Sequence, residues 1–102
     1  MKVITDHNRL YKEATFSATT ELDSENISDE EILRLAISSE LSAINLYKSL
    51  ARKAKSDKIK NILLDVAEEE QVHVGEFQEA LEMVDSKEFD FHVAGRKEVG
   101  SI

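Results

Sequence analysis

From Ile32 to Leu50 the apolar residues do not form a stripe; they wrap most of the way round a helix. With Ile32 at zero and about 100° per residue, Leu35, Leu46, Ala36, Ala43, Ile37, Ile44 and Leu41 span an arc of roughly 240°. Glu31, Arg34, Ser38, Ser42, Asn45, Ser49 and Arg52 mark the narrow polar side. One antiparallel neighbour cannot cover so wide an arc, so this helix needs more than one partner. The start of the helix is written in Ser28-Asp29-Glu30-Glu31, a capping box flanked by Ile27 and Ile32 as a hydrophobic staple. Arg52 and Lys53 suit its negative end. The pattern predicts a helix from Asp29 to about Ala54.

Lys55-Ser56-Asp57 reads as a tight turn, with Ser56 capping a second helix that runs from about Asp57 to Val84. Each helix is roughly 40 Å long at 1.5 Å per residue, and the short turn makes the two antiparallel neighbours. The sequence holds no Pro to interrupt them. A lone helical hairpin of this size buries too little surface to be stable. Two hairpins solve that problem. The expected fold class is therefore all-α: residues 28–86 form a two-helix antiparallel hairpin, and two copies pair into a four-helix bundle.

The flanks carry weaker patterns. Residues 1–27 show no clear period and read as a partly ordered N-terminal arm, in which His7 and Tyr11 are ordinary surface or packing residues. In the tail, residues 87–102, Phe89, Phe91 and Val93 alternate with polar residues, which predicts a short extended piece. His92 falls on the polar phase of that alternation and reads as a surface histidine.

Two side chains do not belong in the second helix's apolar stripe. With Ile59 at zero, Glu70 falls at about +20° and His73 at about −40°, among Ile62, Leu63, Val66, Phe77 and Leu81. On the first helix Glu40 lies near the middle of the apolar arc, with Tyr47 two turns on. A carboxylate or imidazole on a buried face is costly unless something pairs with it. A metal ion supplies that pairing for all three. Ferritin-like di-metal bundles take one Glu from each of two helices and Glu-x-x-His from each of the other two. Glu40, Glu70 and His73 are half of that set, and a symmetric dimer supplies the whole. Four carboxylates balance two divalent cations, and oxygen-rich ligation with two imidazoles suits Fe or Mn, with Zn as a competitor.

Composition narrows the alternatives. The absence of Cys removes disulfides, thiolate metal sites and rubredoxin-type centres. A net charge of −8 argues against nucleic acid and anionic membrane as partners. No stretch approaches the roughly 20 apolar residues of a membrane span, so the expected setting is the cytoplasm.

Leu33-Arg34-Leu35-Ala36-Ile37-Ser38-Ser39-Glu40 through Tyr47, followed by Ile62 through Phe77 with its Glu70-x-x-His73, resembles the encapsulated ferritins over roughly residues 29 to 85. These are half-ferritins carried inside encapsulin nanocompartments, and in some archaea they are fused to the shell protein. The resemblance implies a ferroxidase, in which Fe(II) bound as a di-iron pair between two subunits is oxidised by O₂ and passed on for storage. It implies Glu40, Glu70 and His73 as iron ligands, Glu70 as the bridging one, and Tyr47 as the tyrosine that supports them. It implies a homodimer as the minimal unit, dimers joined into a ring, an encapsulin shell protein as partner, and a place inside the compartment. Better-known members carry further glutamates that build an outer iron site; here Ser39 and Ser42 stand there, so that site is missing or rebuilt from Glu69 or Glu76. The final Lys97-Glu98-Val99-Gly100-Ser101-Ile102 is similar to the Gly-Ser-aliphatic tags that dock cargo on encapsulin walls, and equally to the cut end of a fusion linker. Two other functions compete: rubrerythrin-like peroxide reduction, which lacks an in-chain thiolate electron donor here, and a helical-hairpin interaction module without chemistry.

Overall fold

The computed structural model describes residues 26–102, and the N-terminal arm expected over residues 1–27 lies almost wholly outside the described residues. Three helices follow one another: α1 (Asp29–Lys53), α2 (Asp57–Val84) and α3 (Ser86–Gly100). The first two are the expected hairpin. Ser28 caps α1, its hydroxyl accepting from the Glu31 N–H at 3.2 Å. Ser56 does the same for α2, accepting from the Ile59 N–H at 3.4 Å. Asp29, Glu30 and Glu31 crowd the positive end of α1 while Arg52 and Lys53 sit at its negative end, each stabilising the helix dipole.

The helices meet along two heptad-spaced seams. On α1 the seam runs through Leu33, Ile37, Glu40, Ile44, Tyr47 and Ala51; on α2 it runs through Leu63, Ala67, Glu70, Val74, Phe77 and Leu81. All of these side chains are buried or half-buried, as the alternating three- and four-residue spacing of a two-helix contact requires. The alanines, Ala51 and Ala67, are each 1% exposed and let the helix backbones approach. Among the described residues only Ile44, Ala51, Ala67 and Leu81 are fully buried. Such a core is too small to hold a domain by itself. Ile32, Leu41, Ile59 and Ile62 remain 41 to 51% exposed on the uncovered flanks. The radius of gyration, 16.6 Å, exceeds the ~13 Å of a compact 100-residue domain.

The tail corrects the expectation of an extended segment: Ser86–Gly100 is an α-helix. Asp85 ends α2 in an extended conformation and caps α3, its side chain accepting from the Lys87 N–H at 3.0 Å. The alternation of Phe89 and Phe91 misled because neither is buried; they are 53% and 68% exposed. With no side chain of α3 fully buried, no inward stripe of helical period marks it in the sequence. Among the described residues no helix is long and apolar enough to cross a membrane.

Candidate metal centre

Glu40, Glu70 and His73 come together midway along the hairpin. Each offers one donor atom, and the three atoms lie within 4.8 Å of one another. The seam explains the convergence. Glu40 and Glu70 each replace an apolar residue at a seam position of their own helix, so the two carboxylates meet between α1 and α2. His73, one turn beyond Glu70, reaches the same point from the edge of the seam.

The distances are those of donors facing a common centre rather than each other. His73 Nδ1 stands 3.6 Å from Glu40 Oε2 and 3.6 Å from Glu70 Oε2, beyond hydrogen-bond range. Ligand atoms about 2.1 Å from one first-row divalent ion lie roughly 3 to 4 Å apart. Glu40 Oε2 is a buried oxygen without a hydrogen-bond partner. A carboxylate oxygen left that way costs about 1–3 kcal/mol, and a cation removes the cost. Two carboxylates and an imidazole form a donor set for Fe, Mn or Zn, so the residues fit the metal that the sequence pattern implied.

Burial divides the three unequally. The side chains of Glu40 and Glu70 are 22% and 20% exposed, whereas that of His73 is 46% exposed. Helical stepping put His73 inside the apolar stripe, and it is exposed on the same angular face as Ile59 and Ile62, which lie about four and three turns away along α2. Tyr47 is half-buried on the α1 seam two turns from Glu40. Ser39, Glu69 and Glu76 are exposed and Ser42 half-buried. Among the described residues no second group of three His, Asp or Glu side chains gathers to form an outer site.

The sequence missed one set of polar residues, those that tie α3 to the hairpin. Arg34 Nη2 of α1 donates to Glu88 Oε1 at 2.6 Å, and the His92 Nδ1 to Glu82 Oε1 distance is 2.7 Å. His92 is exposed, as expected of it, yet it has a partner. Neither pair falls at a helical spacing, since Arg34 and Glu88 are 54 residues apart and Glu82 and His92, on different helices, are 10 apart.

Comparison with known proteins agrees with this architecture. The sequence profile of the rubrerythrin family matches residues 31–99, which takes in α3 as well as the hairpin. A ferritin-like-encapsulin shell fusion protein of Pyrococcus furiosus is 49% identical over 69 residues, 68% of this chain and 20% of that protein. The chain thus spans about a fifth of the length of that relative. The crystal structure of the encapsulated ferritin domain from Pyrococcus furiosus superposes with a TM-score of 0.71 at 40% identity, covering 78% of this chain and 86% of that one. Since the hairpin, α3 and the Glu-x-x-His register all fall inside the matched span, this chain belongs to the rubrerythrin family of ferritin-like proteins and, among them, to the encapsulated ferritins.

Proposed function

We propose that the chain is a ferroxidase: it binds Fe(II) as substrate at Glu40, Glu70 and His73, and O₂ accepts the electrons. Two Fe(II) supply two electrons, and with two protons the O₂ consumed balances as hydrogen peroxide. The observation that carries this reading is the unpartnered buried oxygen of Glu40, set against a second carboxylate and an imidazole on the facing helix. Bound iron contributes the redox chemistry; the chain's own part is to hold a fixed donor spacing and exclude water from it.

The site is completed by a second copy. One chain brings two carboxylates and one imidazole, half of what a di-iron bundle uses. The open side of the cluster is the side where His73 is exposed and where Ile59 and Ile62 lie uncovered. Pairing two hairpins there buries those side chains and brings the donors to four carboxylates and two imidazoles around two ions. A bundle of four helices encloses no mineral, so stored iron resides in a surrounding compartment. The name of the Pyrococcus furiosus relative supports an encapsulin shell as that compartment, and the C-terminal Lys97–Ile102 segment is exposed, as a shell-docking tag requires.

Stopped-flow oxidation of Fe(II) in air tests the activity. The purified chain is expected to oxidise Fe(II) well above the solution rate, and the Glu70→Ala, His73→Ala double variant to fall back to it. Equal rates for the two proteins would discard the ferroxidase. The rubrerythrin match favours one further comparison: faster turnover with peroxide than with O₂ would reassign the oxidant while keeping the site.

A further inference from the structure

We propose that Ala67 is the positioning residue of the metal centre: seated opposite Ile44, one turn from Glu70, it fixes how closely α1 and α2 approach there, and so the size of ion that Glu40, Glu70 and His73 accept. The inference rests on the metal-binding part of the proposed function and not on the oxidation of iron.

In an antiparallel pair of helices, each step forward along one is matched by a step back along the other. Glu40 meets Glu70. Four residues forward on α1 and three back on α2, Ile44 therefore faces Ala67; three back and four forward, Ile37 faces Val74. These two layers flank the carboxylates, and they are unequal. Ile37 and Val74 are only half-buried, whereas Ile44 is 6% exposed and Ala67 1%. The other buried residues, Ala51 and Leu81, lie toward opposite ends of the hairpin and, by the same register, face no buried residue. Among the described residues, Ile44–Ala67 is thus the one layer closed from both helices.

That layer sets the separation of the helices, because interaxial distance follows the size of the side chains at the contact. Opposite an isoleucine, a single methyl group is what permits close approach. Glu70 stands three residues beyond Ala67 on the same helix face, so its carboxylate moves with that backbone relative to Glu40. Small displacements matter at this point. Donors lie about 2.1 Å from an ion such as Zn and roughly 2.3 to 2.6 Å from a larger one such as Ca, so neighbouring donors move apart by only about 0.5 Å between the two classes. Extra methylenes at a closed contact force backbone shifts. A bulkier residue at position 67 therefore opens the donor set toward larger ions while leaving every donor in place.

Zn(II) and Cd(II) test this, being closed-shell ions of one charge that take carboxylate and imidazole donors and differ in radius. Titration calorimetry on the full chain, free of iron, measures the affinity for each. Ala67→Ile should weaken Zn(II) about tenfold, the loss that changes beside a metal's ligands bring, while Cd(II) affinity holds, so the ratio of the two falls. Adding Ile44→Ala to Ala67→Ile exchanges the two residues at constant volume and should restore the original ratio, which damage to the fold at position 67 would not allow. An unchanged ratio in Ala67→Ile would overturn the proposal. So would an equal loss of both ions, the result of unfolding or of parted copies, and so would an exchange variant that keeps the altered ratio. If Ala67→Ile does not fold, Ala67→Val takes its place in the same comparison. An unaltered chain that binds neither ion, or binds both as well after Glu70→Ala and His73→Ala, would remove the metal centre and this proposal with it. Binding that needs those two residues but has a ratio indifferent to position 67 would remove the proposal alone.

Discussion

Glu40 is placed where a leucine would make the hairpin more stable. Its Oε2 is buried and has no hydrogen-bond partner, with another carboxylate close by, an unsatisfied group that costs the hairpin stability. Replacing it should therefore help the metal-free chain. Glu40→Gln removes one charge and gives Glu70 a donor, and is expected to raise the melting temperature without metal by several degrees, about 1 kcal/mol. The same variant should lose the further rise that Fe(II), added without O₂, or Mn(II) produces in the parent. Circular-dichroism melts with and without the ion measure both. A metal-free destabilisation would mean that Glu40 is held by the protein and not by an ion. At this scale the sequence was informative because all three donors interrupt apolar faces: a polar residue in a seam is visible as a broken period. What stepping round a helix could not supply was His73's position at the edge, because the width of a stripe does not say how much of it a single neighbour covers.

At the scale of elements, α1 and α2 were legible because their signals are local. Ser28 and Ser56 accept hydrogen bonds from residues three positions on, and caps of that kind are written in adjacent letters. Ser56→Ala is expected to cost about 1 kcal/mol in urea unfolding, and Ser56→Gly only a few tenths. Gly75 offers the opposite change. It lies within α2, exposed, with nothing within 4 Å of where a Cβ would stand, so Gly75→Ala should add ~1 kcal/mol through helix propensity. No gain in the same titration would show that the position touches another chain. The third helix escaped the sequence for the converse reason. Its cap, Asp85, is local, but its seat is made by Arg34–Glu88 and Glu82–His92, pairs that join different elements and impose no period on either. The two phenylalanines, exposed at alternate positions, then looked like one edge of a strand.

Among the described residues of the whole molecule four are buried, two of them alanine, a core too small to balance the entropy of ordering the helices around it. The wide apolar arc of α1 already pointed to more than one neighbour, and the exposed Leu41, Ile59 and Ile62 are what remains after α2 has covered its share. Ile62→Lys should push sedimentation toward single chains, with helix content and Fe(II) oxidation falling in parallel. Unchanged sedimentation would place the partner's surface elsewhere. The half-exposed imidazole of His73 carries a kinetic corollary. If every working centre borrows donors from a neighbour, turnover per chain is not a constant of the chain: on dilution it should fade, and below the dissociation constant the total rate should fall with the square of the concentration.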